Sequence, residues 1–173
     1  TIESVNCAIE NGELTSYELV QFYLDRIDKL DKRNMSINSI IMINPEALQT
    51  AKELDDKFEQ IGFTGPLHGI PVLIKDNIDV ENMPTTAGSL SLEGVIARED
   101  AFIVKKLKEA GAIIIAKTNL HEFAVWGETI SSILGQTLNP YDLTRTPGGS
   151  SGGTGASVAL NFGMVGIGTD TVN

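Results

Sequence analysis

Two wholly apolar runs, Ile70-Pro-Val-Leu-Ile74 and Ala112-Ile-Ile-Ile-Ala116, constrain this chain more than any other feature. Each is too short for a helix and lacks the apolar–polar alternation of a strand with one wet face, so each reads as a strand buried on both faces. Such strands need a covering layer on either side. The text between them supplies part of one, because Asp100 can cap a helix through Ala110 and Gly111 can end it. Strand, helix and strand make a crossover unit. Upstream, Thr15 and Glu18 form a capping box, and Leu19, Phe22, Tyr23, Ile27 and Leu30 then recur at helical spacing. Ser39 to Ile43 reads as a short buried strand. Pro45 opens a second helix with Ala47, Ala51, Leu54, Phe58 and Ile61 on one face, Gly62 ends it, and Gly65-Pro66 is a turn. The fold class is α/β, with a mixed, mostly parallel central sheet covered by helices on both faces.

Other properties exclude several classes of function. The net charge is −10 with only 13 Lys and Arg, whereas phosphate backbones demand a basic face, so no nucleic-acid ligand is expected. An uncharged or cationic small ligand fits better. Cys7 is the only cysteine, which rules out an intrachain disulfide and favours a reducing, cytoplasmic setting. It falls in an N-terminal helical region and reads as a small buried residue. No apolar run approaches the roughly 18 residues of a membrane span, and residues 1–30 lack the order of a signal peptide. No metal is expected: His68 and His121 are far apart, and His121-Glu122 lacks the second histidine of a zinc-protease helix. No cofactor motif stands out either. No internal repeat or linker divides the 173 residues, which read as one unit cut at both ends, from Thr1 to Asn173.

Three segments carry chemistry. Lys75 follows the first apolar run directly and so ends a buried strand, where open α/β sheets place their sites. Desolvation there disfavours the ammonium and makes the amine a base; the alternative is a lysine that reaches water or pairs with Asp76 or Asp79. Ser150 and Ser151 lie within Gly148-Gly149 and Gly152-Gly153, leading into a helix-like stretch from Ala156 to Phe162. Glycines let a substrate approach the backbone closely, although a solvated Gly-Ser loop has the same composition. Gly166 to Asn173 is a glycine-broken strand whose amides either face an oxyanion or make an ordinary strand-to-turn junction. Phe123 and Trp126 either line a channel or, as is commoner, pack in the core.

Together these segments resemble the amidase-signature family. The resemblance runs from Thr15-Ser16-Tyr17-Glu18-Leu19 through Gly65-Pro66-Leu67-His68-Gly69-Ile70-Pro71, Lys75-Asp76-Asn77 and Lys117-Thr118-Asn119 to Pro147-Gly-Gly-Ser-Ser-Gly-Gly153. It implies the amidase-signature fold, of which residues 1–173 would be the N-terminal portion of a single domain. It also implies a Ser-Ser-Lys triad with Lys75 as base and Ser150 as the bridging serine reached through a cis peptide. The family's nucleophilic serine lies about 24 residues further on, which from Ser150 falls at position 174, one past Asn173. Thr171, Val172 and Asn173 would then offer main-chain amides to the oxyanion, with Gly148, Gly149, Ser151 and Asp170 supporting the loops.

The reaction so implied is hydrolysis of a carboxamide through a serine acyl-enzyme. The partners implied are a small-molecule amide and the C-terminal remainder of the same protein. Val172-Asn173 stands where family members commonly carry Gly-Gly, a departure seen in free-standing amidases, and its bulk narrows the acyl pocket. The amidase component of a tRNA-dependent amidotransferase shares the fold and triad and works on glutamine within a complex; a binding module without a nucleophile is the non-enzymatic alternative.

Overall fold

The computed structural model describes residues 1–34 and 36–171. Helix α1 (Ile2–Glu10) precedes α2 (Ser16–Ile27), and α2 opens on the expected reciprocal cap: the Thr15 hydroxyl accepts from the Glu18 amide while the Glu18 carboxylate accepts from the Thr15 amide. A π-helical turn from Asp28 to Asn34 leads to β1 (Ile40–Ile43). Then follow α3 (Ala47–Ile61), β2 (Pro71–Lys75), α4 (Phe102–Glu109) and β3 (Ile113–Thr118). A small hairpin of β4 (Ile130–Ser131) and β5 (Gly135–Gln136) comes before α5 (Gly152–Ala159) and β6 (Val165–Ile167).

The main sheet has the order β1-β3-β2-β6, with β2 parallel to both β3 and β6 and β1 antiparallel to β3. It is mixed and mostly parallel, as the apolar runs require. Leu73, Ile113 and Ile115 point to one face, where Leu19, Val20, Tyr23 and Ile27 of α2 and Ala47, Ala51 and Leu54 of α3 cover them. Ile70, Val72, Ile74 and Ile114 point to the other, under Val104 of α4 and the segment carrying Ile78, Val80 and Met83. Each of the larger side chains contributes about 1.5–3 kcal/mol through burial.

One irregularity in this sheet matters for the site. Val72 pairs with Ile114, yet Leu73 pairs with Ala116, so Ile115 is an extra residue in β3. A one-residue bulge reverses which face the following side chains take. Lys117 therefore sits beside Ile74, and Thr118 beside Lys75.

Several details depart from expectation. Asp100 does not cap α4: the N-cap is Ala101, and the Asp100 carboxylate accepts instead from the Glu81 amide (2.8 Å) and from Lys108 Nζ (2.8 Å). Helix α5 starts at Gly152 rather than Ala156, because packing overrides the low helix propensity of its glycines. Ile61 is exposed at the end of α3, and Cys7 is exposed on α1 rather than buried. No helix among the described residues is long and apolar enough to cross a membrane.

Candidate active site

Lys75 ends β2 with its side chain fully buried, and its Nζ lies 2.7 Å from Ser150 Oγ and 2.7 Å from Thr169 Oγ1. It neither reaches water nor pairs with Asp76, whose carboxylate is held by Lys117 at 2.9 Å. Burial with only hydroxyl partners pushes the Lys75 ammonium down from 10.5 to about 8. At neutral pH a minority of molecules thus carry a free amine against the Ser150 hydroxyl, an arrangement that can accept a proton.

A reaction that needs neutral Lys75 is expected to gain rate about tenfold per pH unit below about pH 8 and to level off above it, which a kcat/KM profile will read. Unfolded lysine keeps its ordinary value, so the unfolded chain binds more protons between about pH 8 and 10.5. Over that window the folded state gains stability as pH rises.

Ser150 is delivered by a backbone held on all sides. Gly148 has φ +79°, a conformation that favours glycine, and the Gly149–Ser150 peptide is cis. The Gly148 carbonyl accepts from Thr129 Oγ1 (2.7 Å), which in turn accepts from the Gly152 amide (3.0 Å). The Ser150 carbonyl accepts from the His121 amide at 3.0 Å. A Cβ at Gly149 would meet the Gly127 carbonyl carbon at 2.9 Å, and one at Gly153 would meet the Asn119 carbonyl oxygen at 2.1 Å. Gly149 admits the Gly127–Glu128 backbone and Gly153 the chain just after β3, so close approach, not flexibility, is what these two glycines supply. Thr118 Oγ1 and Thr154 Oγ1, 2.6 Å apart, join the same two elements.

The segment after β6 closes the site. Ser151 Oγ donates to the Thr169 carbonyl (3.1 Å) and accepts from the Thr169 amide (3.2 Å), fastening the serine loop to the strand exit. Thr171 Oγ1 lies 2.6 Å from Ser150 Oγ, and Asp170 is exposed between the two threonines. Lys75, Ser150, Ser151 and Thr171 thus converge, while Gly148 and Gly149 shape the loop behind them. Val172 and Asn173 lie outside the described residues.

Three participants escaped the sequence reading. Thr169 is the second partner of Lys75 and also accepts from Asn77 Nδ2 at 3.1 Å; Asn77 Oδ1 is buried with no partner among the described residues. Thr129 ties Gly148 to Gly152. Thr169 and Asn77 stood inside quoted motifs, but nothing in a Gly-Thr-Asp or Lys-Asp-Asn string indicates that the side chains meet across two strands. Phe123 and Trp126 are not core residues: they are 52% and 62% exposed, on a loop where Phe123, Ala124 and Thr129 all have positive φ. His68 is buried, with its ring Nδ1 2.9 Å from Thr64 Oγ1, and burial lowers its pKa. Among the described residues no group of His, Cys, Asp and Glu is placed to hold a metal ion.

The family model described as Amidase matches residues 18–172. The chain belongs to the amidase family. It is 43% identical over 172 residues to a glutamyl-tRNA(Gln) amidotransferase component from Clostridium kluyveri, covering 99% of this chain and 34% of that relative. Among solved structures, peptide amidase from Stenotrophomonas maltophilia is 41% identical with a TM-score of 0.90, over 95% of this chain and 35% of that one. An amidase family protein from Bacillus anthracis is 38% identical with a TM-score of 0.92, over 99% of this chain and 35% of that one. The chain thus spans about a third of the length of the relatives it matches, and it has the amidase-signature fold over that third.

Proposed function

We propose that the full-length protein hydrolyses a carboxamide C–N bond to acid and amine or ammonia through a serine acyl-enzyme, with Lys75 and Ser150 as proton relay. The observation that carries this reading is the buried 2.7 Å contact between Lys75 Nζ and Ser150 Oγ in an amidase-family chain. Neutral Lys75 takes a proton from Ser150 as Ser150 takes one from the nucleophile, a serine expected at position 174. The alkoxide attacks the amide carbonyl, and main-chain amides of Thr171, Val172 and Asn173 hold the oxyanion. The lysine ammonium returns its proton through Ser150 to the leaving amine, and water then hydrolyses the acyl-enzyme. Support for the relay's direction comes from Ser150 Oγ, whose second partner is Thr171, on the segment that leads toward position 174. On this reading residues 1–173 are the N-terminal portion of one amidase-signature domain, with the remainder supplied by the same protein.

The test is turnover of aryl, fatty-acyl and peptide amides by the full-length protein, with the acyl-enzyme trapped as a mass adduct. Hydrolysis and an adduct on the serine after Asn173 are expected, and the 173-residue chain alone should be inert. Absence of both hydrolysis and adduct in the full-length protein, or steady turnover by the 173-residue chain, would overturn the assignment.

A second reading is favoured by the 43% identity to an amidotransferase component, namely that the protein acts within such a complex. Val172-Asn173 and the Trp126-Gly127-Glu128-Thr129 segment lean toward the free enzyme. Companion proteins copurifying with this one, and ammonia released from glutamine only in their presence, would reverse that preference.

A further inference from the structure

A second buried lysine lies one strand away from Lys75 and takes no part in the relay. Lys117 on β3 is fully buried, its Nζ 2.9 Å from Asp76 Oδ1, and the Asp76 side chain is 1% exposed. Lys117 also donates to the Pro84 carbonyl (2.9 Å) and to Thr85 Oγ1 (3.2 Å). Asp76 Oδ2 accepts from the Thr86 amide (3.1 Å) and from the Thr86 hydroxyl. Both carboxylate oxygens are therefore occupied by groups on the far side of the sheet from Ser150.

Placement of this pair depends on the bulge. Counting alternately from Ile113, Lys117 would share the face of Pro71, Leu73 and Lys75; the extra residue Ile115 puts it beside Ile74 instead. The two lysines consequently emerge on opposite faces of the same sheet. Asp76 directly follows Lys75, and an uncompensated carboxylate there would hold the Lys75 ammonium charged. At an effective dielectric of about 20, a unit charge as far as about 12 Å away still moves a neighbour by about one pKa unit.

We propose that Lys117 is a positioning residue for Lys75: by engaging the Asp76 carboxylate across the bulged strand, it leaves the lysine at the end of β2 without an anionic partner. This inference rests on the proton-relay reading above. The charged and titratable side chains on the elements around Lys75 are Asp76 and Asp79 after β2, Lys117 on β3, His121, Glu122 and Glu128 on the loop under Ser150, and Asp170 after β6; α5 carries none. Of these, Asp76 is adjacent in sequence to Lys75 and bonded to a compensating cation. The pair also serves the serine loop mechanically. Asp76 fixes Thr86, the next residue's carbonyl accepts from the Phe123 amide (2.8 Å), and His121 on that same loop holds the Ser150 carbonyl.

The experiment is a kcat/KM–pH profile of the full-length protein and of Lys117→Met, Asp76→Asn and the double variant, alongside side-chain ¹⁵N NMR titration of Lys75. Lys117→Met is expected to raise the Lys75 titration, and with it the acidic limb, by about one pH unit. The high-pH plateau should be retained to within several-fold. The double variant removes both charges and should return the limb to its parental position. Should Lys117→Met fail to fold, Asp76→Asn alone reads the same balance, since the unpaired ammonium should lower the limb. Titration of Lys75 unmoved in a folded single variant would overturn the inference, as would a shift that the double variant fails to restore. If the parent hydrolyses no amide, the enzymatic reading fails, and the NMR titration still decides whether Lys117 governs Lys75.

Discussion

Lys75→Ala in the full-length protein is expected to lower kcat/KM by about 10²- to 10⁴-fold while leaving the fold intact, the range lost with a positioned acid–base group. The loss should appear in kcat, because proton transfer through Ser150 is required to form the tetrahedral species and not to bind the substrate. Removing the lysine also removes a buried cationic group with hydroxyl partners only, so no opposite charge is stranded and the variant should fold. Lys75→Arg should not restore activity: guanidinium stays protonated at any accessible pH and presents no lone pair to Ser150. Steady-state kinetics of the two variants give the check. Activity within about tenfold of the parent, roughly 1.4 kcal/mol of barrier, would be too little for the proposed base.

Gly153→Ala should cost about 3 kcal/mol or more of stability, an unusually large effect for a single methyl group. The added carbon would lie 2.1 Å from the Asn119 carbonyl oxygen and 2.6 Å from the Asn119 nitrogen, both backbone atoms that no rotamer change can move aside. Asn119 is itself fixed: its side-chain amide donates to the Asn38 carbonyl (3.1 Å), the Gly135 carbonyl (3.2 Å) and Thr137 Oγ1 (2.9 Å). Relief must therefore come from α5, which begins two residues after Ser150. Gly155→Ala, two residues on, is the control. Its Cβ meets nothing within 4 Å, so the gain in helix propensity should make that variant neutral or more stable by up to about 1 kcal/mol. Denaturant melts of the two variants compare the effects directly; equal behaviour would mean that α5 does not pack on Asn119 as described.

Much of this architecture was legible because it follows from periodicity. Ile70–Ile74 and Ala112–Ala116 became β2 and β3, with no bound moved by more than two residues, since runs that apolar tolerate no wet face. The Thr15–Glu18 cap was legible because its partners are three residues apart. What could not be read was anything set by register or by loops. The bulge at Ile115 has no sequence mark within a uniform apolar run, so the side of the sheet taken by Lys117 was open. Exposure of Phe123 and Trp126 depends on a loop with three left-handed residues, none of them glycine. Lys75 and Ser150 stood out by context, but their 2.7 Å contact spans 75 residues of chain and rests on α5 packing.

The complete burial of Lys75 bears on how protons come and go. With no surface of its own, the amine meets solvent only by way of its two hydroxyl neighbours, Ser150, itself 3% exposed, and Thr169. A substrate seated over Ser150 covers the first of those routes. Proton exchange with the lysine is then left to the half-buried Thr169 hydroxyl alone, for as long as the substrate stays. Enzyme molecules that meet substrate with the ammonium form would have to pass that proton out by way of Thr169 before reacting, so this one hydroxyl would govern how quickly such complexes become productive.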